Sequence, residues 1–229
     1  MGEGKTEAAY HLVEGCTADG TARGFYLALP TQATANQMHA RTARFLSDAF
    51  ATQLADGEEV NLVLAHGGSW LRDLEHLPSG VYDEDSPRTG SVAAGEWFLS
   101  RKRALLAPYG VGTVDQALMA VLQVKHVFVR LYGLAGKAVV IDEVHAYDTY
   151  MTGLLERLLE WLGALRSPVI LLSATLPTSR RRRLAEAYLR GLDDGVASAP
   201  PEMPTVAYPR ITWLESGAVH AENFAAAER

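Results

Sequence analysis

The sequence begins MGEGKTEAAYHL (Met1–Leu12), and the stretch GEGKT within it (Gly2–Thr6) matches the last part of a phosphate-binding loop. The full motif reads G-x-x-x-x-G-K-[ST] and joins a buried strand to a helix. Its glycines let backbone N–H groups curl around a phosphate, its lysine supplies a positive charge to the β- and γ-phosphates, and its hydroxyl reaches Mg²⁺. The match predicts a nucleotide site, with a simple turn and helix cap as the alternative.

Length and composition are those of a globular protein with one domain or slightly more. The 229 residues are 48% hydrophobic and 21% charged, and no apolar run approaches the roughly 20 residues that span a membrane. The net charge of −6 argues against a broadly basic surface, but not against a local groove of backbone N–H groups that binds phosphates. The single cysteine, Cys16, and the lack of an apolar signal core predict a cytoplasmic protein without an intramolecular disulfide.

Short apolar runs alternate with helical patterns along the chain. Strands are predicted at 24–29, 60–66, 138–143 and 168–175. Helices are predicted at 6–14, 31–50, 97–106, 114–122, 150–165 and 179–192. The stretch 67–93 is rich in Gly, Asp, Ser and Pro and is predicted to be an irregular insertion, and GVGT (110–113) is predicted to lead into a helix. The alternation predicts an α/β fold with a doubly wound parallel sheet and helices on both faces.

The composition changes after Leu192. Residues 1–192 are therefore predicted to form one domain. Residues 193–210, which are rich in Pro, Ala and Asp, are predicted to be a linker. ITWL (Ile211–Leu214) is compatible with another strand, so residues 211–229 are predicted to be the truncated start of a second lobe or a disordered tail.

The run SRRRRL (Ser179–Leu184) places four arginines at the start of a predicted helix. Positive charge at that position opposes the helix dipole. The run is therefore predicted to be solvated, with a contact to DNA backbone or a partner as the alternative.

Two acidic residues end a strongly apolar predicted strand. AVVIDEVH (Ala138–His145) places Asp142 and Glu143 there, and ligands bind at the carboxyl ends of strands in α/β sheets. One carboxylate can hold Mg²⁺, usually through water, while the other orients or deprotonates an attacking water. The alternative, that both residues only cap the next helix, is disfavoured by the GKT sequence upstream.

A third motif, LLSATLP, places Ser173, Ala174 and Thr175 after another apolar strand. Small hydroxyl residues there are ordinary turn formers when taken alone, but GKT, DEVH and SAT in this order resemble the superfamily 2 helicases. LPTQATANQM and the stretch GTVDQ to DTYM (112–151) are similar to the helicase core of the CRISPR-associated helicase-nucleases of type I systems, the third Cas family. The resemblance covers residues 1 to about 192 and is most specific around Gly112–Tyr150.

This resemblance implies the first RecA-like lobe of an ATP-driven motor. In that family the motor moves on single-stranded DNA after an RNA-guided surveillance complex has opened the target duplex, and guide pairing reads the sequence. ATP and Mg²⁺ are therefore the implied cofactors, and single-stranded DNA and the surveillance complex are the implied partners. The implied process is CRISPR interference against foreign DNA.

The family's motifs also imply roles for individual residues. Motif I supplies the nucleotide-binding residues Gly2, Glu3, Gly4, Lys5, Thr6 and Glu7. The implied catalytic residues are Lys5, Asp142 and Glu143, and the implied Mg²⁺ ligands are Thr6 and Asp142. Coupling of hydrolysis to movement is implied for His145, Ser173, Ala174 and Thr175. The implied DNA-binding residues are Pro30, Thr31, Gln32, Thr113, Asp115 and Gln116; plain helix capping by Thr31 and Thr113 is the alternative.

Three parts of the family pattern are not found in this sequence. They are the strand before the P-loop, the second RecA-like lobe with its arginine finger, and the histidine–aspartate cluster of the nuclease. The second lobe and the nuclease are expected in cis or in trans, and without an arginine finger the chain alone is expected to turn over little or no ATP. The missing strand predicts an open slot in the sheet. The alternative function is a non-catalytic nucleotide- or partner-binding remnant.

Overall fold

A computed structural model of the protein describes residues 4–50, 58–65, 90–93, 104–122, 127–193, 200–215 and 217–223. Six of its strands form one sheet: β1 (Phe25–Leu29), β2 (Glu58–Ala65), β3 (Gly90–Ala93), β4 (Tyr109–Thr113), β5 (Ala138–Ile141) and β6 (Val169–Leu171). The strand order is β3-β2-β4-β1-β5-β6, and every neighbouring pair is parallel. The predicted parallel α/β sheet is confirmed.

Helices cover both faces of this sheet. They are α1 (Lys5–Ala18), α2 (Gln32–Phe50), α3 (Val114–Leu118), α4 (Val127–Leu134), α5 (Thr149–Ala164) and α6 (Thr178–Leu192). Side chains of β1 alternate between two hydrophobic clusters: Phe25 and Leu27 join the cluster with α1 and α2, whereas Tyr26 joins the one with α5 and α6. Burial on both faces explains why β1 is a continuous apolar run. None of the described helices is both long and apolar enough to cross a membrane.

Strand β4 was not predicted, because its glycine-rich sequence YGVGT is unusual for a strand. The structure places it between β1 and β2, where its glycines leave room for neighbours. A Cβ atom on Gly112 would lie 2.1 Å from the Ala65 carbonyl oxygen and 2.4 Å from the Tyr26 hydroxyl oxygen. The glycines of β4 are therefore required by the packing of Tyr26, a long-range constraint that local propensity does not contain.

Several predicted boundaries were also wrong. The predicted irregular insertion contains β3, the helix expected from 114 to 122 ends at Leu118, and α4 was not predicted. Strands β5 and β6 are shorter than predicted because the residues after Ile141 and Leu171 leave the sheet and enter loops. In the segment 97–106, Ala104–Leu106 forms a 3₁₀ turn instead of an α-helix, and residues 97–103 lie outside the described residues.

The open slot that we expected in the sheet is not present among the described strands. All six strands pair directly with a neighbour, and β6 lies at one edge. Its three residues are half-buried, whereas β5, one position further in, is fully buried. Each strand pairs only with its immediate neighbours, so the six described strands form one continuous hydrogen-bond ladder.

The C-terminal part forms a separate antiparallel hairpin of β7 (Arg210–Glu215) and β8 (Ala218–Asn223). This confirms a strand at ITWL. The Trp213 ring stacks on His220 across the hairpin, with ring centroids 5.5 Å apart. Whether the domain boundaries lie at 192 and 210 stays a prediction.

Lys137, just before β5, is buried, with only 6% of its surface exposed. Its ammonium group donates hydrogen bonds to the Leu105 carbonyl at 2.6 Å and to the Ala107 carbonyl. Burial lowers the pKa of this lysine to about 7, because the charged form loses its hydration. Lys137 thus holds the Ala104–Leu106 turn against the start of β5.

The low pKa of Lys137 predicts a pH-dependent stability. Between pH 7 and about 10 the unfolded chain binds this proton and the folded chain does not, so the free energy of unfolding should rise with pH. The expected contribution is about 1 kcal/mol per pH unit at its steepest. Urea denaturation from pH 7 to 9 should show this slope in the wild type and a smaller slope in Lys137→Met. Equal slopes in the two proteins would contradict the assignment.

Candidate nucleotide-binding site

Three sequence motifs converge at one edge of the sheet. Strands β5 and β6 are parallel neighbours, so the residues that follow them, Asp142 and Ser173, emerge on the same side. The Asp142 N–H donates to the Ala28 carbonyl at 2.9 Å and the Val144 N–H to the Leu172 carbonyl at 3.0 Å. These bonds continue the ladder beyond the strands and hold the DEVH segment between β1 and β6.

The described part of the P-loop begins at Gly4, which has a left-handed backbone with φ of 69° and precedes α1. No side-chain cap to this helix is found among the described residues, so N–H groups of its first turn can bind an anion. Lys5 and Thr6, the first two residues of α1, are partly exposed. Glu7 instead pairs with Arg41 of α2 at 2.5 Å, and Gly2 and Glu3 lie outside the described residues.

The Glu143 carboxylate joins motif I to motif II (Asp142–His145); motif III is the SAT segment, Ser173–Thr175. Its Oε1 lies 3.9 Å from Lys5 Nζ, and its Oε2 lies 3.2 Å from His145 Nε2. All three side chains are between 33% and 39% exposed. Ion pairs with this much solvent contact are weak, so a phosphate group can displace Glu143 from Lys5 at little cost.

Glu143 also has an unusual backbone, with φ of 53° and ψ of 38° in the left-handed region. A residue with a Cβ atom is strained there by about 1 kcal/mol or more. The neighbouring Asp142 Oδ1 accepts a hydrogen bond from the Glu143 N–H at 2.7 Å, and the turn leads into the 3₁₀ segment Val144–Ala146. The strained turn thus places the Glu143 carboxylate beside Lys5 at the start of α1.

Asp142 is the partly buried carboxylate that precedes Glu143. Burial raises its pKa above the usual range, and the Glu143 charge raises it further, while the backbone bond from Glu143 and the Lys5 charge act in the opposite direction. Its own carbonyl accepts a hydrogen bond from the Tyr147 hydroxyl at 2.8 Å. A carboxylate desolvated in this way gains most from a bound cation.

His145 connects motif II to motif III. Its Nδ1 accepts the Ala174 N–H at 3.4 Å and lies 3.4 Å from Ser173 Oγ, while Ser173 Oγ donates to the Thr175 carbonyl at 2.8 Å. Because a backbone N–H can only donate, the neutral imidazole carries its hydrogen on Nε2, facing Glu143. Lys5, Glu143, His145 and Ala174 thus form one continuous polar chain.

Of the six residues expected to bind DNA, Thr113 is the last residue of β4 and the others follow β1 or β4, which are adjacent. Pro30, Thr31 and Gln32 lie at the surface, and Thr31 Oγ1 accepts the Thr34 N–H at 3.2 Å, as a helix cap does. Thr113 is 4% exposed and makes no side-chain cap bond.

The other two members of this group lie on α3. Asp115 is exposed. Gln116 Oε1 accepts a hydrogen bond from Arg130 of α4 at 3.0 Å. Thr31 is therefore a capping residue, whereas the buried Thr113 has no exposed hydroxyl for a phosphate.

Two further residues support the site, and neither was among the site residues predicted from the sequence. Tyr147 holds the Asp142 carbonyl, and Arg180 of α6 donates to the Tyr147 carbonyl at 3.0 Å and to Thr152 Oγ1 at 2.6 Å. Tyr147 lies two residues after the AVVIDEVH stretch and could have been singled out as a buried polar neighbour. For Arg180 the only sequence signal was the arginine run, and that run did not indicate which residues Arg180 would contact.

The fold and the three joined motifs define a RecA-like lobe of a P-loop nucleotide-binding protein. No family model matches the sequence, but individual relatives do. The CRISPR-associated endonuclease/helicase Cas3 of Thermus thermophilus is 46% identical over 226 residues, and that of Escherichia coli K12 is 39% identical over 218. These alignments cover 95% and 93% of this chain and 23% and 22% of the relatives.

Solved structures agree with these relatives. T. fusca Cas3 with ATP aligns with a TM-score of 0.82 and 41% identity, over 100% of this chain and 25% of that one. A chain of an RNA-guided surveillance complex before nicking aligns with a TM-score of 0.67 and 39% identity, over 100% of this chain and 22% of that one. The chain is therefore a homologue of one segment of the Cas3 helicase-nucleases, the family that its motifs resemble. It spans about a quarter of their length.

Replacement of Glu143 by glycine and by alanine should separate its backbone strain from its charge. Both changes remove the carboxylate, but only glycine removes the Cβ atom that makes the left-handed backbone unfavourable. Glu143→Gly should therefore be more stable than Glu143→Ala by about 1 kcal/mol. Urea denaturation of the two variants measures this difference, and an alanine variant as stable as the glycine variant would show that the turn is not strained.

Proposed function

We propose that the chain is the first RecA-like, ATP-binding lobe of a DNA-dependent ATPase or helicase that acts in CRISPR interference against foreign DNA. The observation that most directly supports this proposal is the polar chain from Lys5 through Glu143 and His145 to Ala174, which links the P-loop to both other motifs. The names of the relatives, which include helicase and endonuclease activities, support this proposal, as do T. fusca Cas3 structures with ATP and AMPPNP.

The P-loop residues Gly2–Thr6 would bind the phosphates of ATP, with Lys5 between the β- and γ-phosphates and the amides of α1 around them. Lys5 then exchanges its contact with Glu143 for one with phosphate. The released Glu143 carboxylate is free to orient and deprotonate the attacking water, while its other oxygen stays with His145. Glu143 is thus the proposed base, and Lys5 and Asp142 are the other catalytic residues.

Thr6 and Asp142 are the residues that would hold Mg²⁺. No group of three or more His, Cys, Asp or Glu side chains that could bind a metal occurs among the described residues. One hydroxyl and one partly buried carboxylate nevertheless fit Mg²⁺, which takes few protein ligands and keeps waters and phosphate oxygens. The ion would neutralise charge on the transferring phosphate.

Coupling to movement is assigned to His145, Ser173, Ala174 and Thr175. A change in the position of the Glu143 carboxylate would alter its contact with His145 Nε2. A resulting movement of the imidazole would alter the hydrogen bond between His145 Nδ1 and the Ala174 N–H. Single-stranded DNA would contact the surface formed by Pro30, Thr31, Gln32, Asp115 and Gln116, where sequence-blind phosphate contacts suffice. Thr113 would contribute its backbone only, since its side chain is buried.

The proposed partners are single-stranded DNA and an RNA-guided surveillance complex, together with a second helicase lobe and a nuclease domain in cis or in trans. The similarity to a chain of such a surveillance complex supports this assignment. Domain boundaries at 192 and 210 and a cytoplasmic location complete the proposal. Alone, the chain should turn over little ATP, because an arginine finger is worth a factor of about 10³–10⁵ in rate.

The proposal predicts separable effects at Lys5 and Glu143. Lys5→Ala should weaken AMPPNP binding at least about tenfold in calorimetry with Mg²⁺. Glu143→Gln should bind AMPPNP within about threefold of the wild type, because the amide keeps the shape but loses the base. It should lower any DNA-stimulated phosphate release by about 10² or more. Arg157→Ala, which removes an exposed cation from α5, serves as the control and should change neither quantity.

The outcomes also distinguish the alternative function. Phosphate release that requires single-stranded DNA and Lys5 would support the motor lobe. Nucleotide binding without turnover, even with a second lobe added in trans, would favour a non-catalytic nucleotide-binding remnant. Failure of the wild type to bind AMPPNP would overturn the motor lobe and the nucleotide-binding remnant, and would leave a partner-binding remnant as the alternative.

A further inference from the structure

The loop that follows motif III is held by a tyrosine from the C-terminal segment. The Leu176 N–H donates to the Tyr208 hydroxyl at 2.8 Å, and that hydroxyl donates back to the Leu176 carbonyl at 3.0 Å. Arg210 Nη2 donates to the same carbonyl at 3.2 Å. Both backbone polar groups of Leu176 are therefore bound by residues more than 30 positions away in the sequence.

This contact is continuous with the hairpin. The Arg210 guanidinium lies 4.1 Å from the centroid of the Tyr208 ring, a cation–π distance, and Arg210 is the first residue of β7. Arg210 Nη1 also donates to the Val206 carbonyl at 2.6 Å. A shift of Leu176 is therefore transmitted to β7 through a side chain only two residues before the strand.

The arginines of α6 brace the same junction. Arg181 is 8% exposed and donates to Thr212 Oγ1 of β7 at 2.9 Å, while Arg180 contacts the Tyr147 carbonyl and Thr152. The prediction of a solvated arginine run is wrong for these two residues, because both find partners inside the chain. Of the other two, Arg182 is exposed and Arg183 pairs with Glu156 at 2.9 Å.

We propose that Tyr208 is a positioning residue that couples the nucleotide site to the β7–β8 hairpin. The contacts run from Glu143 through His145 to Ala174, then along two residues of backbone to Leu176 and across to Tyr208. The part of this inference that concerns a response to nucleotide rests on the proposed function. Leu176 is linked to the hairpin through the Tyr208 hydroxyl, which makes two of the three hydrogen bonds, and through Arg210 Nη2. The Tyr208 hydroxyl can be removed without changing the site, and coupling through it acts in both directions.

The first test needs no nucleotide and uses amide hydrogen exchange of the whole chain. His145→Ala removes the acceptor of the Ala174 N–H and should speed exchange of residues 208–215 about threefold or more, the range expected for one lost hydrogen bond. In a Tyr208→Phe background the same change should have a clearly smaller effect there, because only the Arg210 bond to the Leu176 carbonyl remains. An unchanged segment after His145→Ala, or an equal increase in both backgrounds, would overturn the proposal.

The second test adds saturating AMPPNP with Mg²⁺. Binding should change exchange at residues 173–176 and at 208–215 in the wild type. Tyr208→Phe should bind the nucleotide, keep the change at 173–176 and show a clearly smaller change at 208–215, because only Arg210 still contacts Leu176. Tyr188→Phe is the matched control, because its hydroxyl donates to the Ser167 carbonyl at 3.1 Å, away from motif III. It should keep both changes.

The outcomes separate the two proposals. A nucleotide-dependent change at 208–215 that is as large in Tyr208→Phe as in the wild type would overturn the coupling role but leave the nucleotide site intact. A wild type that binds no AMPPNP would overturn the proposed function, and the first test would then decide the role of Tyr208 alone. Because Tyr208 is 52% exposed, loss of its hydroxyl does not threaten folding.

Discussion

Strand β5 is paired on one side with β1 and on the other with β6, and this parallel pairing is the constraint on which the site depends. Ile141 is in register with both Ala28 and Leu171, so the two loops that follow β5 and β6 begin at the same level. Parallel strands bring residues that are about 30 positions apart to one edge without any contact between their side chains. The motif residues can therefore vary in rotamer while their backbones stay fixed.

Weak electrostatic contacts suit this arrangement. Lys5 and Glu143 are partly exposed and 3.9 Å apart, and such a pair adds little to the stability of the fold. A tight, buried pair would have to be broken each time a phosphate entered, at a cost of several kcal/mol. The fold instead places its strain in the backbone of Glu143, where it directs the carboxylate without opposing ligand binding.

The contacts that His145 and Tyr208 make to the motif III loop are both to backbone groups. His145 contacts the Ala174 N–H, and Tyr208 contacts the N–H and carbonyl of Leu176. These are backbone groups, so the path from the site to the hairpin depends on the side chains at its two ends and on the geometry of the loop between them. Thr175 likewise takes part through its carbonyl, so its side chain is not needed for the link.

Much of the fold and of the site follows from local sequence. Apolar runs and caps identified β1, β5, α2 and α5, because burial on both faces and helix periodicity leave a direct pattern in consecutive residues. The GKT, DEVH and SAT motifs likewise located the residues that the structure brings together. Long-range packing decided the rest: the glycines of β4 make room for Tyr26, and two arginines of an apparently solvated run are bonded inside the chain.

The sequence by itself therefore determined the class of fold, the three motifs and the chemistry of their side chains, since each is written in neighbouring residues. Only the tertiary structure decided that Glu143 stands between Lys5 and His145 in a left-handed turn, and that Tyr208 reaches back to Leu176. The physical reason is that these contacts join residues dozens of positions apart. They form only after the parallel sheet has set the distances between its loops.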